Sequence, residues 1–288
     1  MEATPEILCI GAAHWDVIGR SAQAVASGDD LPGCVRESPG GVALNIARGL
    51  AQAGCVTALL AAIGTDPAGD ALSDRLARDR VQTRHLHRAA HLPTDRYLAI
   101  EDPQGLIAAI ADSTTLDQSG AAILAPLLTG ALKDWRGTVL LDCGLPAQAL
   151  ARLRDTARSR LTLRLASASP AKVARLRPFL GTKAIFHLNR AEASALLAQD
   201  FPDSRSAAMA LVAQGAARAL VTDGARPATD ADGAAVLSAP PPPVTATRIT
   251  GAGDAFIAAH IAAEHRAAPR DAALIAALAQ AARHISSP

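Results

Sequence analysis

Short apolar runs alternate along this chain with segments of helical period, and that alternation is what most restricts the folds open to it. Ile7–Ile10 reads as a strand that stops at Gly11. Residues 42–53 read as a helix, because Ile46, Leu50 and Ala53 share one face and Gly54 follows as a C-terminal stop. Residues 56–63 read as a buried strand. Asp66 then has the place of an N-cap, with Pro67 at the first helical position, and the helix runs to about Arg80. Further strands are expected at 138–141, Leu161–Ala166, 184–188 and 219–222, with helical patterns between them. This order implies an α/β chain with a mostly parallel sheet and helices on both faces. Right-handed crossovers then put ligand-binding loops at the carboxyl ends of the strands.

Two stretches break the rhythm. Residues 14–39 carry the turn residues Gly28, Asp29, Asp30, Pro32, Gly33 and Pro39. Within 91–116, Tyr97-Leu98-Ala99-Ile100 and Leu106-Ile107-Ala108-Ala109-Ile110 flank a turn and read as a hairpin. Neither has the form of a crossover, so together they are expected to make a small β lid on a single domain spanning 1–288. Pro240-Pro241-Pro242-Pro243 is a rigid, extended connector.

Half of the residues are apolar and 19% are charged, which excludes global disorder. A formal charge of +1, with no basic run interleaved with aromatics, argues against a nucleic-acid partner. No apolar stretch reaches the ~18–20 residues of a membrane span, and the acidic start Met1-Glu2-Ala3-Thr4-Pro5-Glu6 is unlike a signal peptide. Cys9, Cys34, Cys55 and Cys143 are widely spaced and read as reduced thiols, so a cytoplasmic location is expected.

Five places combine residues that can do chemistry. Gly251-Ala252-Gly253-Asp254 precedes an apolar helical run, and a bare turn opening a helix offers free N–H groups to an anion. A carboxylate there repels phosphate unless it accepts a proton from whatever attacks that phosphate; otherwise Asp254 is a helix cap. Gly40-Gly41 allows close backbone approach, and Asn45 one turn on can face a hydroxylated ligand or simply lie on an exposed helix face. Asp16, past the first strand, can accept from a vicinal diol or be a surface loop residue. Asn189 and Glu192 can hold waters around magnesium, form a capping box, or both. Thr222 and Gly224 mark a strand end that can meet a donor's phosphates or be a plain turn. His14, His85, His87, His91, His187 and Cys143 show no partner at ligand or triad spacing and are expected to be structural. A nicotinamide site is disfavoured, because Gly11 onward lacks the GxGxxG turn.

In this order the pieces resemble the PfkB (ribokinase-like) family of sugar and nucleoside kinases. The carrying residues are Gly40-Gly41 with Asn45, Gly64-Thr65-Asp66-Pro67-Ala68-Gly69, Asn189 with Glu192, Thr222 with Gly224, and Thr250-Gly251-Ala252-Gly253-Asp254. Within it the chain is most similar to the pseudouridine kinases, on Gly28-Asp29-Asp30-Leu31-Pro32-Gly33, Pro93-Thr94-Asp95-Arg96-Tyr97 and Ser169-Pro170-Ala171-Lys172. The resemblance implies a three-layer αβα ribokinase-like fold with a small β lid, and ATP-dependent transfer of a phosphoryl group to a primary hydroxyl. It implies Asp254 as base and the N–H groups of Ala252, Gly253 and Asp254, after Gly251, as anion hole. It implies Asp16, Gly40, Gly41 and Asn45 at the ribosyl group, Asn189 and Glu192 at Mg²⁺, and Thr222 and Gly224 at the nucleotide. It also implies a homodimer formed through the lid. Other nucleosides or a free sugar are the alternative acceptors, and a non-catalytic ligand-binding protein on the same fold is the remaining one. Three departures stand out. Arg248 and Ile249 replace the Asp-Thr pair that many relatives link to a monovalent cation, which argues against K⁺ activation. Pro227 replaces a frequent glycine, which is expected to reshape the loop near ATP, and the chain stops at Pro288, so the adenine pocket is expected to be either abbreviated or completed differently.

Overall fold

The computed structural model describes residues 3–156, 160–245 and 250–286. Among them the chain forms fourteen strands and nine α-helices. The first part runs β1 (Ile7–Ile10), β2 (His14–Ser21), β3 (Gly33–Gly40), α1 (Val42–Gln52), β4 (Thr57–Leu60), β5 (Ala62–Gly64) and α2 (Pro67–Arg78). Then come β6 (His87–Ala89), β7 (Arg96–Asp102), β8 (Gly105–Asp112), α3 (Thr114–Gln118), α4 (Gly120–Leu128), β9 (Gly137–Asp142) and α5 (Ala147–Thr156). The last part is β10 (Leu161–Ala166), β11 (Ile185–Asn189), α6 (Arg190–Leu197), α7 (Ser204–Ala213), β12 (Arg218–Asp223), β13 (Arg226–Asp232), β14 (Val236–Ala239), α8 (Ala252–His265) and α9 (Arg270–Ser286).

The large sheet has the order β14-β13-β12-β11-β10-β9-β1-β4. It is parallel from β4 to β12, with β13 and β14 antiparallel at one edge. The alternation of side chains along β1 divides the core into two layers. Leu8 and Ile10 pack with residues of α4 to α7, whereas Ile7 and Cys9 pack with residues of α1, α2, α8 and α9. A strand buried on both faces must be apolar throughout, which is why β1 could be read so easily. The result is an α/β architecture with a mostly parallel sheet and helices on both faces, and no helix among the described residues is long and apolar enough to cross a membrane.

One expectation about the strands needs correction. The single strand expected over 56–63 is two: β4 stays in the large sheet, while β5 turns away to pair with β6. The amide of His87 donates to the Ala61 carbonyl at this junction, so an uninterrupted apolar run hides a change of partner. The antiparallel edge of the sheet, β13 with β14, gives little strand signal, because Arg-Pro-Ala-Thr-Asp-Ala-Asp of β13 has no apolar alternation. Buried Asp230 on β13 is matched by Arg218 and Arg270, and buried Thr229 by Ser204 and Ser238.

The segments expected to form a lid contain the strands of a second, four-stranded sheet, ordered β3-β2-β7-β8. Both legs of its β7–β8 hairpin are held by carboxylates. Asp66 caps α2 through the Gly69 amide and also accepts from the backbone and hydroxyl of Thr94, which holds its pKa below the usual range despite partial burial. Asp95 is buried and accepts from the amides of Thr115 and Leu116 at the start of α3.

Candidate active site

The small sheet and the helices α1, α8 and α9 line a cleft of about 1340 Å³, with Asp16, Asn45, Gly251 and Asp254 on its wall. The turn before α8 needs its glycine twice over. Gly251 has φ 83°, and a Cβ there would lie 2.8 Å from Nε2 of His284, which itself meets the Thr250 carbonyl at 3.0 Å. The amides of Ala252, Gly253 and Asp254 open the helix and lack intrahelical acceptors. Gly253 is exposed, and a Cβ there would meet nothing within 4 Å.

Asp254 stands in the first turn of α8, partly open to the cleft and enclosed by protein elsewhere. Its carboxylate accepts from Nδ2 of Asn45 at 2.9 Å. Burial pushes its pKa up to about 7; the Asn45 hydrogen bond opposes this, while the charges of Asp142, Glu192 and Asp16 add to it. The side-chain donor of Asn45, a residue expected at the ribosyl hydroxyls, is given to this carboxylate.

Asp16 lies on β2 opposite Ser38 of β3 and next to Tyr97 of β7. A Cβ on Gly40 would collide with the Asp16 carboxylate, so this glycine makes room for that side chain. Gly41 has φ 105° and its missing Cβ would strike the Ala12 carbonyl, which lets the start of α1 press against the β1–β2 connection. His14, read as unpartnered, bonds Asp16 through Nε2 at 3.1 Å, because the strand places both side chains on one face. Cys143, also read as unpartnered, accepts from the Ala168 amide at 3.2 Å.

Asn189 and Glu192 form a complete capping box on α6: the Asn189 side chain accepts from the Glu192 amide, and Glu192 Oε2 accepts from the Asn189 amide, each at 2.8 Å. Burial raises the Glu192 pKa to about 7. No group of three or more His, Cys, Asp or Glu residues able to hold a metal occurs among the described residues. With their box oxygens committed, these two residues fit a Mg²⁺ ion carried by phosphates and water, the habit of that ion, and not a protein cage. Thr222 pairs with Asn189 in the sheet, and Gly224 makes the turn from β12 to β13, farther along the same edge. Arg248 and Ile249 lie outside the described residues, as does the cation question attached to them.

Asp142 was missed. It ends β9, is fully buried, and accepts from the amides of Ala12 and Gly144. A side chain on Gly11 would collide with it, so it braces the connection that leads to Asp16. An aspartate closing the run Thr-Val-Leu-Leu was the available signal. Also missed was the anchorage of α8. Glu264 pairs with Arg164 of β10 and Arg218 of β12, spanning β11. His187 of β11 lies between these strands, its ring 5.7 Å from that of His260 in a T-shaped contact. Burial and the nearby arginines keep both imidazoles neutral, with the His260 pKa near 4.

Comparison with known proteins agrees with this geometry. The model of the "pfkB family carbohydrate kinase" matches residues 4–288. Pseudouridine kinase of Escherichia coli is 31% identical over 152 residues, which are 52% of this chain and 48% of that protein. An uncharacterized sugar kinase of the same organism is 34% identical over 146 residues, 49% of this chain and 39% of that one. The matched stretches thus span half or less of each relative. Among solved structures, a carbohydrate kinase from Agrobacterium tumefaciens superposes with a TM-score of 0.84 at 28% identity, covering 99% of this chain and 92% of that one. The ribokinase of Arabidopsis thaliana, solved with ribose and ATP, gives 0.82 at 18% identity over 99% and 94%, a likeness of fold alone.

Proposed function

The chain belongs to the pfkB family of carbohydrate kinases, and from that premise we propose that it transfers the γ-phosphoryl group of ATP to the 5′-hydroxyl of a ribosyl acceptor, pseudouridine above others. The observation that carries the reading is Asp254: a carboxylate with its pKa pushed up to about 7, hydrogen-bonded to Asn45, in the first turn of α8 and on the wall of the cleft. Membership of a kinase family implies use of ATP, which supplies the electrophilic phosphorus. Asp254 accepts the proton of the acceptor's hydroxyl as that oxygen attacks. The amides of Ala252, Gly253 and Asp254 face the charge that develops on the transferring group. Asp16 holds ribosyl hydroxyls, with His14 fixing its carboxylate. Asn189 and Glu192 order water around Mg²⁺, and Thr222 and Gly224 border the nucleotide.

Two things support a nucleoside over a free sugar. Pseudouridine kinase is among the relatives, and the cleft face of the small sheet carries Ser38 and Arg36 beyond Asp16, polar groups suited to the carbonyls of a uracil ring. That sheet acts as the lid that excludes water from the reaction. Its opposite face is apolar and supports a homodimer joined lid to lid.

The test is a panel of pseudouridine, uridine, adenosine, ribose and fructose with ATP and Mg²⁺, read as ADP release. Pseudouridine is expected to lead by at least about tenfold in kcat/KM, on the order of 1.4 kcal/mol of transition-state discrimination. Preference for ribose or fructose would move the reading to a sugar kinase, and no turnover with any acceptor would favour a binding protein.

A further inference from the structure

A pair of small residues lies where helices α1 and α8 pack together. A Cβ on Gly49 of α1 would lie 2.7 Å from the Cβ of Ala258 of α8, and no other atom outside its own helix lies within 4 Å. Carbon atoms rest at about 3.5–4.0 Å from one another, so the two helices are about 1 Å closer than a pair of alanines would permit. Gly49 lies four residues after Asn45, and Ala258 four residues after Asp254. The small pair therefore sits one helical turn below the Asn45–Asp254 hydrogen bond, at the same offset on both helices. Glycine is among the poorest residues for the interior of a helix, and alanine is the best. Its presence in the middle of α1 answers to the contact and not to helix formation.

On the core side neither helix has room to yield. Leu44, Ile46, Ala47 and Leu50 of α1 are buried in the core layer that includes Ile7 and Cys9 of β1. In the same layer α8 is backed by Leu274, Ala277 and Leu278 of α9. The Ala258 methyl is buried and fixed to the backbone, so it cannot rotate away. A separation of about 1 Å would stretch a 2.9 Å hydrogen bond past the range in which it holds.

We propose that Gly49 and Ala258 are positioning residues, whose contact sets the spacing of α1 and α8 and thereby holds Asn45 on the carboxylate of Asp254. The consequence for turnover rests on Asp254 being the base; the spacing itself does not.

Three variants test it: Gly49→Ala, Ala258→Val, and the swap Gly49→Ala/Ala258→Gly. The first two push the helices apart from opposite sides, so one remains informative where the other fails to fold. Each is expected to lower kcat by on the order of 10- to 100-fold and to move the acid limb of kcat/KM to higher pH, the shift also expected of Asn45→Ala. The swap moves the methyl across the interface and is expected to restore both. The Asp254 titration is also followed by the ¹³C shift of its labelled carboxyl in wild type and variants. A titration that rises in Gly49→Ala or Ala258→Val while turnover stays unchanged upholds the spacing and removes Asp254 as base. Folded variants with unmoved titration and unmoved kcat overturn the proposal, as does a folded swap that restores nothing.

Discussion

At the scale of the residue, the site depends on carboxylates held where their charge is disfavoured. Asp254 is the leading case, and the sign of its pH dependence follows from its folded pKa near 7, well above the 3.9 or so of an unfolded aspartate. As base it must be ionised, so kcat/KM for the acceptor is expected to rise with pH through about 7 and level off above it. Its effect on stability runs the opposite way. Between pH 4 and 7 the folded state binds the extra proton, so this group's contribution to stability declines as pH rises. Asp254→Asn is expected to abolish most turnover while keeping ATP binding. The same variant should melt at a higher temperature than wild type at pH 8, with the difference shrinking towards pH 4, as calorimetry across that range would show. Retained turnover would remove Asp254 from the chemistry. The sequence displayed Asp254, its glycines and Asn45, because each lies in a short local pattern. It could not display Asp142 against Ala12 or Glu264 against Arg164, which lie 130 and 100 positions apart in the chain. Such pairs are fixed by strand order, which no local pattern encodes.

At the scale of the element, the hairpin β7–β8 is fastened at its base by Asp66 and Asp95, which bond Thr94 on one side and the first turn of α3 on the other. Asp66 was legible as a helix cap; its second task, gripping Thr94, was not, since that partner comes 28 residues later. Asp95 gave no signal beyond its place in the Pro-Thr-Asp stretch. Asp95→Ala leaves two buried amides without acceptors, at a cost of about 1–3 kcal/mol each. The small sheet then closes less firmly. ADP release without any acceptor is expected to increase several-fold relative to productive transfer, because a loosened lid admits water. An unchanged ratio of idle to productive turnover, in a variant that remains folded, would show that this fastening has no part in excluding water.

At the scale of the whole molecule, the register of the small sheet sorts its side chains onto two faces with different tasks. Asp16, Ile18 and Arg20 align with Ser38, Arg36 and Cys34 on the cleft side. Val17, Leu98 and Ile110 form one row on the other side, and Gly19, with Val35 and Ile100 beside it, forms the next. The sequence showed the hairpin and its apolar residues, but which of them turn outward depends on the pairing of β2 with β7, across 80 residues. On that outer face Val35 is 71%, Ile110 67%, Leu98 44% and Ile100 42% exposed, a density of apolar surface that a soluble monomer seldom leaves uncovered. In the proposed homodimer a second copy of the chain would cover it with the same face in an isologous pair, apolar against apolar. Light scattering at micromolar concentration is then expected to give twice the 29.4 kDa chain mass. Val35→Lys/Ile110→Lys places two like-charged pairs in that interface and is expected to give monomers, with KM for the acceptor raised because the lid loses its support. A wild-type protein that is monomeric at that concentration would leave the outer face without its partner. A dimer untouched by the two lysines would place the interface elsewhere on the molecule.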